Sequence, residues 1–177
     1  MKLLKTVALD PSDTFVFDLA AEPGEWAVSG VFRFWGDNPD TLQGKARSAF
    51  RGGFLGLQSW GWSTLVEIVE VTDNDRAVVV EMLAQQLIDR LGAPDLVTAR
   101  QAAEEEVSFA ESLCNEATGI LIAVHRTAEG GEIRESFRAL RSRGKSRHQR
   151  AFAFLEAQDD EQPADDIDLA SMERERK

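Results

Sequence analysis

The stretch TGILIAVHRTAEGGEIRESFRALR, residues 118–141, decides the fold because it predicts a long β-hairpin. Gly130 and Gly131 can adopt the positive φ angles that a two-residue hairpin turn requires. With these glycines as the turn, Arg126 stands opposite Glu135 in an oppositely charged cross-strand pair. A register shifted by one residue on each arm would place apolar side chains opposite charged ones, so the unshifted register is favoured. The pairs it predicts are Arg126–Glu135, Val124–Phe137 and Ile122–Ala139.

The segment before the hairpin predicts a well-delimited helix. Thr72 is a suitable N-cap, and Asp73 and Asp75 complement the positive end of the helix dipole. Apolar residues then recur at steps of three and four until Gly92 and Pro94 end the pattern. A helix is therefore expected between Thr72 and Gly92.

A second helix is predicted over residues 95–117, where small apolar residues recur at helical spacing. Because the link between the helices is only about three residues long, they should form an antiparallel hairpin over residues 73–117. Three consecutive glutamates, residues 104–106, and Glu111 lie mostly off the apolar stripe. We expect them to form a solvated face and not a metal site, since no histidine stands at ligand spacing.

Three more strands are predicted before the helices, at residues 4–9, 26–36 and 62–71. The last of these has apolar side chains on both faces, which is typical of a central strand. Residues 37–45, DNPDTLQGK, combine Asn-Pro with Asp and Gly and are expected to form an exposed loop. Residues 151–157, AFAFLEA, fit either a final strand or a short docking helix.

The segment FRGGFLGLQSWGWST, residues 50–64, is rich in glycine and tryptophan. It does not predict a phosphate loop, because neither GxGxxG nor the Walker pattern is present and the residues that follow resemble a strand, not a helix. We interpret its glycines as places where a bending sheet passes close to bulky rings. Exposed tryptophans would instead mark a contact surface. The candidate binding surface consists of Arg33, Trp35, Arg51, Trp60 and Trp62, with Arg33 or Arg51 as partner of an anion.

Few residues in the chain could act as nucleophiles or metal ligands. Cys114 is the only cysteine, so an intramolecular disulfide is impossible, and His125 and His148 are the only histidines. We expect Cys114 to be a buried, inert thiol. His125 falls opposite Ser136 in the predicted hairpin and is expected to be an ordinary sheet residue. No catalytic residue, metal ligand or cofactor is therefore assigned, and the sequence gives no sign of an enzyme.

The distribution of charge bears on possible partners. The net charge of −11 disfavours a polyanionic partner. Seven basic residues fall within residues 134–150 and seven acidic residues within 156–168. Because opposite blocks on one chain can screen each other, we expect them to neutralise one another and not to bind nucleic acid. Residues 158–177 are expected to be a flexible acidic tail after a single domain over residues 1–157.

No targeting or membrane-spanning segment is predicted. The first ten residues hold only a short apolar run, too short for a signal peptide. No apolar stretch approaches the roughly 20 residues of a membrane span. A cytoplasmic protein is expected.

These elements together predict an α+β fold: an antiparallel sheet of about five or six strands, a two-helix hairpin packed on one face, and a charged C-terminal tail. Three segments carry a resemblance to a known family: LDPSDTFVFDLAAEPGEWAVSG (9–30), GGFLGLQSWGWSTLVEI (52–68) and GEIRESFRALR (131–141). Over about residues 1–141 the chain resembles a small family of uncharacterised bacterial proteins, mostly α-proteobacterial, known as a domain of unknown function. The resemblance implies an accessory role beside molybdenum-dependent oxidoreductases and a lipoate-ligase-like protein, and it assigns no catalytic residue.

The leading functional hypothesis is a non-catalytic cytoplasmic module that binds a protein, or a second copy of itself. The alternative is a small-molecule binding protein or enzyme with a pocket at the glycine- and tryptophan-rich corner. A cavity beside the tryptophans would favour the alternative.

Overall fold

The computed structural model describes residues 1–142 and 155–158, and it shows an α+β fold. One antiparallel sheet has seven strands within residues 1–142 and an eighth formed by residues 155–158. The strands are β1 Lys2–Val7, β2 Trp26–Val28, β3 Phe54–Gly56, β4 Trp62–Ser63, β5 Leu65–Glu70, β6 Leu121–Glu129, β7 Glu132–Ser142 and β8 Leu155–Gln158. Their order across the sheet is β4-β3-β2-β1-β5-β6-β7-β8. The predicted strand count was too low because β3 and β4 are too short to show a sequence periodicity.

The predicted hairpin is confirmed as β6 and β7. Arg126 pairs with Glu135, and His125 pairs with Ser136, as the unshifted register requires. Gly130 has a φ of 60° at the turn, in the left-handed region that the predicted turn needs. The central strand predicted over residues 62–71 is confirmed for β5, which pairs with β1 on one side and with β6 on the other. Its first two residues, Trp62 and Ser63, instead form the separate edge strand β4.

Four helices are present within residues 1–142: α1 Asp13–Val16, α2 Gly44–Gly52, α3 Asp73–Leu91 and α4 Leu96–Ser112. The start and end predicted for α3 are confirmed, with a reciprocal capping box between Thr72 and Asp75 and a left-handed Gly92 after the last turn. α3 and α4 form the predicted antiparallel hairpin, and α4 packs on β1 and β2. α4 ends five residues before the predicted boundary at residue 117.

Two of the N-terminal predictions were wrong. The strand predicted over residues 26–36 stops at Val28, because Gly30 adopts a φ of 76° and turns the chain into a short 3₁₀ helix, Val31–Phe34. Within this 3₁₀ helix Phe32 and Phe34 are buried and their neighbours are not. Buried and more exposed residues therefore alternate as they would in a strand. The loop predicted over residues 37–45 contains a 3₁₀ turn, and its last two residues belong to α2. This helix was not predicted because it has a glycine at each end.

The sheet is curled so that its two halves approach each other. Arg126 of β6 contacts Ser29, which directly follows β2, although β1 and β5 separate these strands in the sheet. α2 packs against β6 inside this curl. One hydrophobic core joins the sheet and the helices, and it includes Phe17, Phe54 and Leu83.

Several predictions fall wholly or partly outside the described residues. Residues 155–158 form a strand, which agrees with the first of the two alternatives for residues 151–157, but residues 151–154 lie outside. Most of the acidic tail and residues 143–150 of the basic block also lie outside. Among the described helices, none has the length and apolarity needed to cross a membrane.

Candidate functional site

A cleft of about 380 Å³ opens beside the glycine- and tryptophan-rich segment, and we call it the tryptophan cleft. Its volume lies within the range of small-molecule sites. Its lining comes from the 3₁₀ helix, α2, the end of α3 and β4. The lining residues are Asp18, Leu19, Arg33, Phe34, Asp37, Leu42, Lys45, Ala46, Ala49, Trp60, Trp62 and Arg90.

The two tryptophans of the cleft are core residues as well as lining residues. Trp60 is 5% exposed and Trp62 is 7% exposed. Trp62 stacks on Phe34 with ring centroids 5.2 Å apart. A Cβ at Gly53 would lie 2.9 Å from the Trp62 ring, so this glycine lets the ring pack closely. The prediction that the glycines make room for nesting rings is confirmed for Gly53. It is wrong for Gly56 and Gly61, which lie against Ala21, Glu25 and the backbone of residues 20–21, and for Gly52, which has no ring within 4 Å of its Cβ position.

Arg33 is the cation most closely associated with the tryptophans. Its guanidinium carbon lies 5.5 Å from the centroid of Trp60 and 5.2 Å from that of Trp62, which is cation–π distance. Its Nη1 donates to the Trp60 carbonyl oxygen at 3.2 Å. Burial lowers the pKa of Arg33, the charge of Arg90 lowers it further, and Asp37 opposes both.

Three of the five residues of the predicted binding surface come together in this cleft: Arg33, Trp60 and Trp62. Trp35 lies outside it, 73% exposed, beside a neighbouring groove of about 480 Å³ that shares Phe34 and Asp37 with the cleft. Arg51 lies elsewhere, in a shallow depression lined by α2 and β6. Arg90 was not predicted, because it lies on α3, far from the tryptophans in sequence.

A larger groove, of about 780 Å³, lies along α3 and α4 but offers fewer free polar groups. Two arginines line this groove, and both are paired. Arg76 forms ion pairs with Glu104 at 2.6 Å and with Glu111 at 3.1 Å. Arg100 at the same groove is paired with Glu81. The tryptophan cleft is therefore the better candidate site, since its arginines have no carboxylate partner within residues 1–142.

A buried ionic cluster lies on the inner side of the curl. Arg126 is fully buried, and its Nε donates to Glu135 at 2.8 Å. Its Nη1 donates to the carbonyl oxygens of Phe50 at 3.1 Å and Gly53 at 2.7 Å, and its Nη2 donates to the carbonyl oxygen of Ser29. This arginine therefore fastens β6 to the end of α2 and to the chain after β2.

Glu106 of α4 lies close to the same cluster. Its Oε2 atom is shielded from solvent and has no hydrogen-bond partner among the residues that the structure describes. Burial raises the pKa of Glu106 to about 7, with a further rise from Glu135 and an opposing effect of Arg126. The expectation that residues 104–106 form a solvated face is thus wrong for Glu106, because helix spacing alone does not show how close β7 comes to the side of α4.

The structure places Cys114 and His125 as the sequence predicts. Cys114 is buried, its Sγ lies 3.3 Å from the Ala110 carbonyl oxygen, and burial raises its pKa to about 12. His125 is exposed on β6 opposite Ser136. Within the described part of the chain, no group of three or more His, Cys, Asp or Glu side chains is placed to hold a metal ion.

Comparison with known proteins assigns the chain to a family. The model of the family of unknown function DUF6505 matches residues 1–159. The chain belongs to this family. The predicted membership of a family of unknown function is thereby confirmed, and the match reaches beyond the predicted residues 1–141. Neither a curated protein nor a solved structure matches the chain.

The partly buried Glu106 gives a testable pH dependence. Because its folded pKa of about 7 exceeds the ordinary value of 4.5, the folded state binds this proton more tightly than the unfolded state. The contribution of Glu106 to stability is therefore fully present below pH 4.5 and is lost as the pH rises through 7. Glu106→Gln should be neutral near pH 4 and stabilise the protein by about 2–3 kcal/mol at pH 9.

Urea unfolding of both proteins at several pH values measures this difference. Glu105→Gln is the control, since Glu105 is exposed on the same helix. A gain for Glu106→Gln that does not change with pH, or that is equalled by Glu105→Gln, would contradict the assignment.

Proposed function

We propose that this chain is a non-catalytic cytoplasmic accessory module that binds another protein, or a second copy of itself, through aromatic side chains around the tryptophan cleft. The observation that supports it best is the exposure of two large aromatic residues, Phe15 at 74% and Trp35 at 73%. Exposed aromatic side chains on a soluble surface are typical of interaction sites.

Phe15 is exposed on a segment whose residues on either side are anchored in the protein. In α1, the residue two positions before it, Asp13, is buried and accepts hydrogen bonds from the backbone N–H and hydroxyl of Thr64. Two positions after it, Phe17 is 1% exposed. An anchored segment loses little conformational entropy when it binds, so Phe15 is well suited to serve as a contact residue.

Trp35 has the same arrangement. It follows the 3₁₀ helix whose Phe32 and Phe34 are both buried, and its ring meets the edge of Phe32 with centroids 6.4 Å apart. α1 contacts α2, which lines the tryptophan cleft, and Trp35 directly follows Phe34, which lines it too. Leu19, 51% exposed, extends the apolar surface to the cleft itself.

The double variant Phe15→Ser/Trp35→Ser should weaken partner binding or self-association at least about tenfold, as expected when two aromatic anchors are lost. Sedimentation velocity of the purified chain measures self-association, and affinity capture from source-cell extract measures partner binding. The family resemblance makes molybdenum-dependent oxidoreductases the first partners to examine.

The matched control is Val78→Ser/Val97→Ser, which alters exposed apolar residues on the helical hairpin. Support requires a partner that the wild type and this control both retain and the aromatic variant loses. A monomer at all concentrations, with identical proteins captured by all three baits, would contradict protein binding.

A second candidate function is small-molecule binding in the tryptophan cleft. The observation that favours it is the coexistence, in one cavity of about 380 Å³, of two indoles and two arginines that have no carboxylate partner within residues 1–142. Apolar walls with a few convergent polar groups are typical of ligand sites.

A further inference from the structure

We propose that the tryptophan cleft binds a small organic carboxylate with an apolar body, and that Arg33 and Arg90 hold its carboxylate group. The proposal rests on the second candidate function and adds the chemical class of the ligand and the residues that select it.

The two arginines converge on one side chain. The guanidinium carbon of Arg33 lies 5.5 Å from the centroid of Trp60, and that of Arg90 lies 5.6 Å from the same centroid. Two like charges beside one ring repel each other, and the pKa of Arg33 is lowered first by burial and then by Arg90. An anion placed near both would relieve this repulsion.

Most of the N–H groups on these arginines have no protein acceptor within residues 1–142. Arg33 donates from Nη1 to the Trp60 carbonyl oxygen, and Arg90 donates from Nε to Gln86 at 2.6 Å. Each guanidinium has five N–H donors in a planar fork that matches a carboxylate. Within the described ranges, neither arginine has a carboxylate oxygen within ion-pair distance.

The charge of the lining favours an anion of low charge. Arg33, Arg90 and Lys45 contribute three positive charges, and Asp18 and Asp37 contribute two negative charges. This excess of one positive charge is notable in a chain whose net charge is −11. A single carboxylate balances the excess positive charge of the cleft, whereas a polyanion would be repelled by both aspartates.

The other walls of the cleft are apolar and would contact the body of the ligand. The apolar lining consists of Leu19, Phe34, Leu42, Ala46, Ala49, Trp60 and Trp62. Trp60 has a φ of 63°, a conformation that bulky residues rarely adopt and that is often found at functional sites. The Trp60 carbonyl oxygen accepts from Arg33 and holds this guanidinium at the cleft.

The test compares phenylacetate with phenylacetamide, its neutral isostere, on the full-length chain. Titrations at low salt follow the indole Nε1–H NMR signals of Trp60 and Trp62, assigned with single Trp→Phe variants. We expect phenylacetate to bind with a Kd on the order of 1 mM. Phenylacetamide should bind about tenfold more weakly, because it cannot accept charge-assisted hydrogen bonds from both arginines.

Arg90→Met and Arg33→Met/Arg90→Met should abolish the preference for phenylacetate. The exposed Arg90 single variant keeps the test valid if the double variant does not fold. Arg47→Met/Arg134→Met is the control for net charge, since both arginines are exposed and outside the cleft, and it should keep the preference.

The outcomes separate the two proposals. Equal affinity for acid and amide would overturn carboxylate recognition and leave small-molecule binding intact. No change of the Trp60 and Trp62 signals with either compound up to about 20 mM would overturn both. A loss of preference in the net-charge control equal to that in the Arg33 and Arg90 variants would also overturn carboxylate recognition.

Discussion

Arg126→Met is expected to lower the free energy of unfolding by about 3–5 kcal/mol, because it leaves the carboxylate of Glu135 without its cationic partner and several buried carbonyls without their donor. Arg126 is completely buried and donates to Glu135 and to the carbonyl oxygens of Ser29, Phe50 and Gly53. Methionine preserves much of the side-chain volume, so the loss would come chiefly from the polar interactions. Urea unfolding at pH 7 measures it.

The control for this experiment is Arg134→Met. Arg134 lies on β7 of the same hairpin and pairs with Glu129 at 3.3 Å, but both side chains are about two-thirds exposed. Exposed ion pairs contribute little, so this variant should change stability by less than about 1 kcal/mol. If the two variants lose equal stability, the buried cluster does not hold β6 to α2.

A double variant tests whether the loss of stability in Arg126→Met comes from the unpaired charge of Glu135. In Arg126→Met/Glu135→Gln the unpaired buried charge is removed together with its partner, so the loss should be smaller than the sum of the two single losses. The same variant removes the negative charge of Glu135 that helps to raise the pKa of Glu106. Additive losses would show that Arg126 and Glu135 do not act as a pair.

The hairpin shows what the sequence could and could not predict here. The opposition of Arg126 and Glu135 followed from the turn glycines and from cross-strand charge pairing, both of which are local. The complete burial of Arg126 did not follow, because it depends on α2 covering that face of β6. Since α2 was not predicted, the sequence could not show whether the Arg126–Glu135 ion pair lies in the core or on the surface.

The candidate site had the same limit. Arg33, Trp60 and Trp62 could be grouped because aromatic and basic residues recur within one part of the chain. Arg90 and Lys45 lie on helices that the fold brings to the cleft, and nothing in their local sequence points to the tryptophans. Trp35 and Trp60 could not be distinguished by residue type either, although one is exposed and the other buried.

Gly61→Ala is expected to lower the free energy of unfolding by about 2–3 kcal/mol, the usual cost of forcing an extra carbon into a packed region. A Cβ at this position would lie 2.7 Å from the carbonyl carbon of Ala20 and from the nitrogen of Ala21. The backbone of residues 20–21 cannot move away from residue 61, because the backbone of Trp62 is hydrogen-bonded to Leu19 at 2.8 Å and to Ala21 at 2.9 Å.

Gly52→Ala is the matched control for this prediction. Neither Gly61 nor Gly52 has a positive φ, so both substitutions test space and not backbone conformation. A Cβ at Gly52 would meet only the Val124 carbonyl oxygen, at an ordinary 3.8 Å. Because Gly52 is the last residue of α2, alanine there should be neutral or stabilise by about 0.5 kcal/mol. Urea unfolding followed by tryptophan fluorescence compares the variants, and a Gly61→Ala protein as stable as Gly52→Ala would refute close backbone packing as the reason for this glycine.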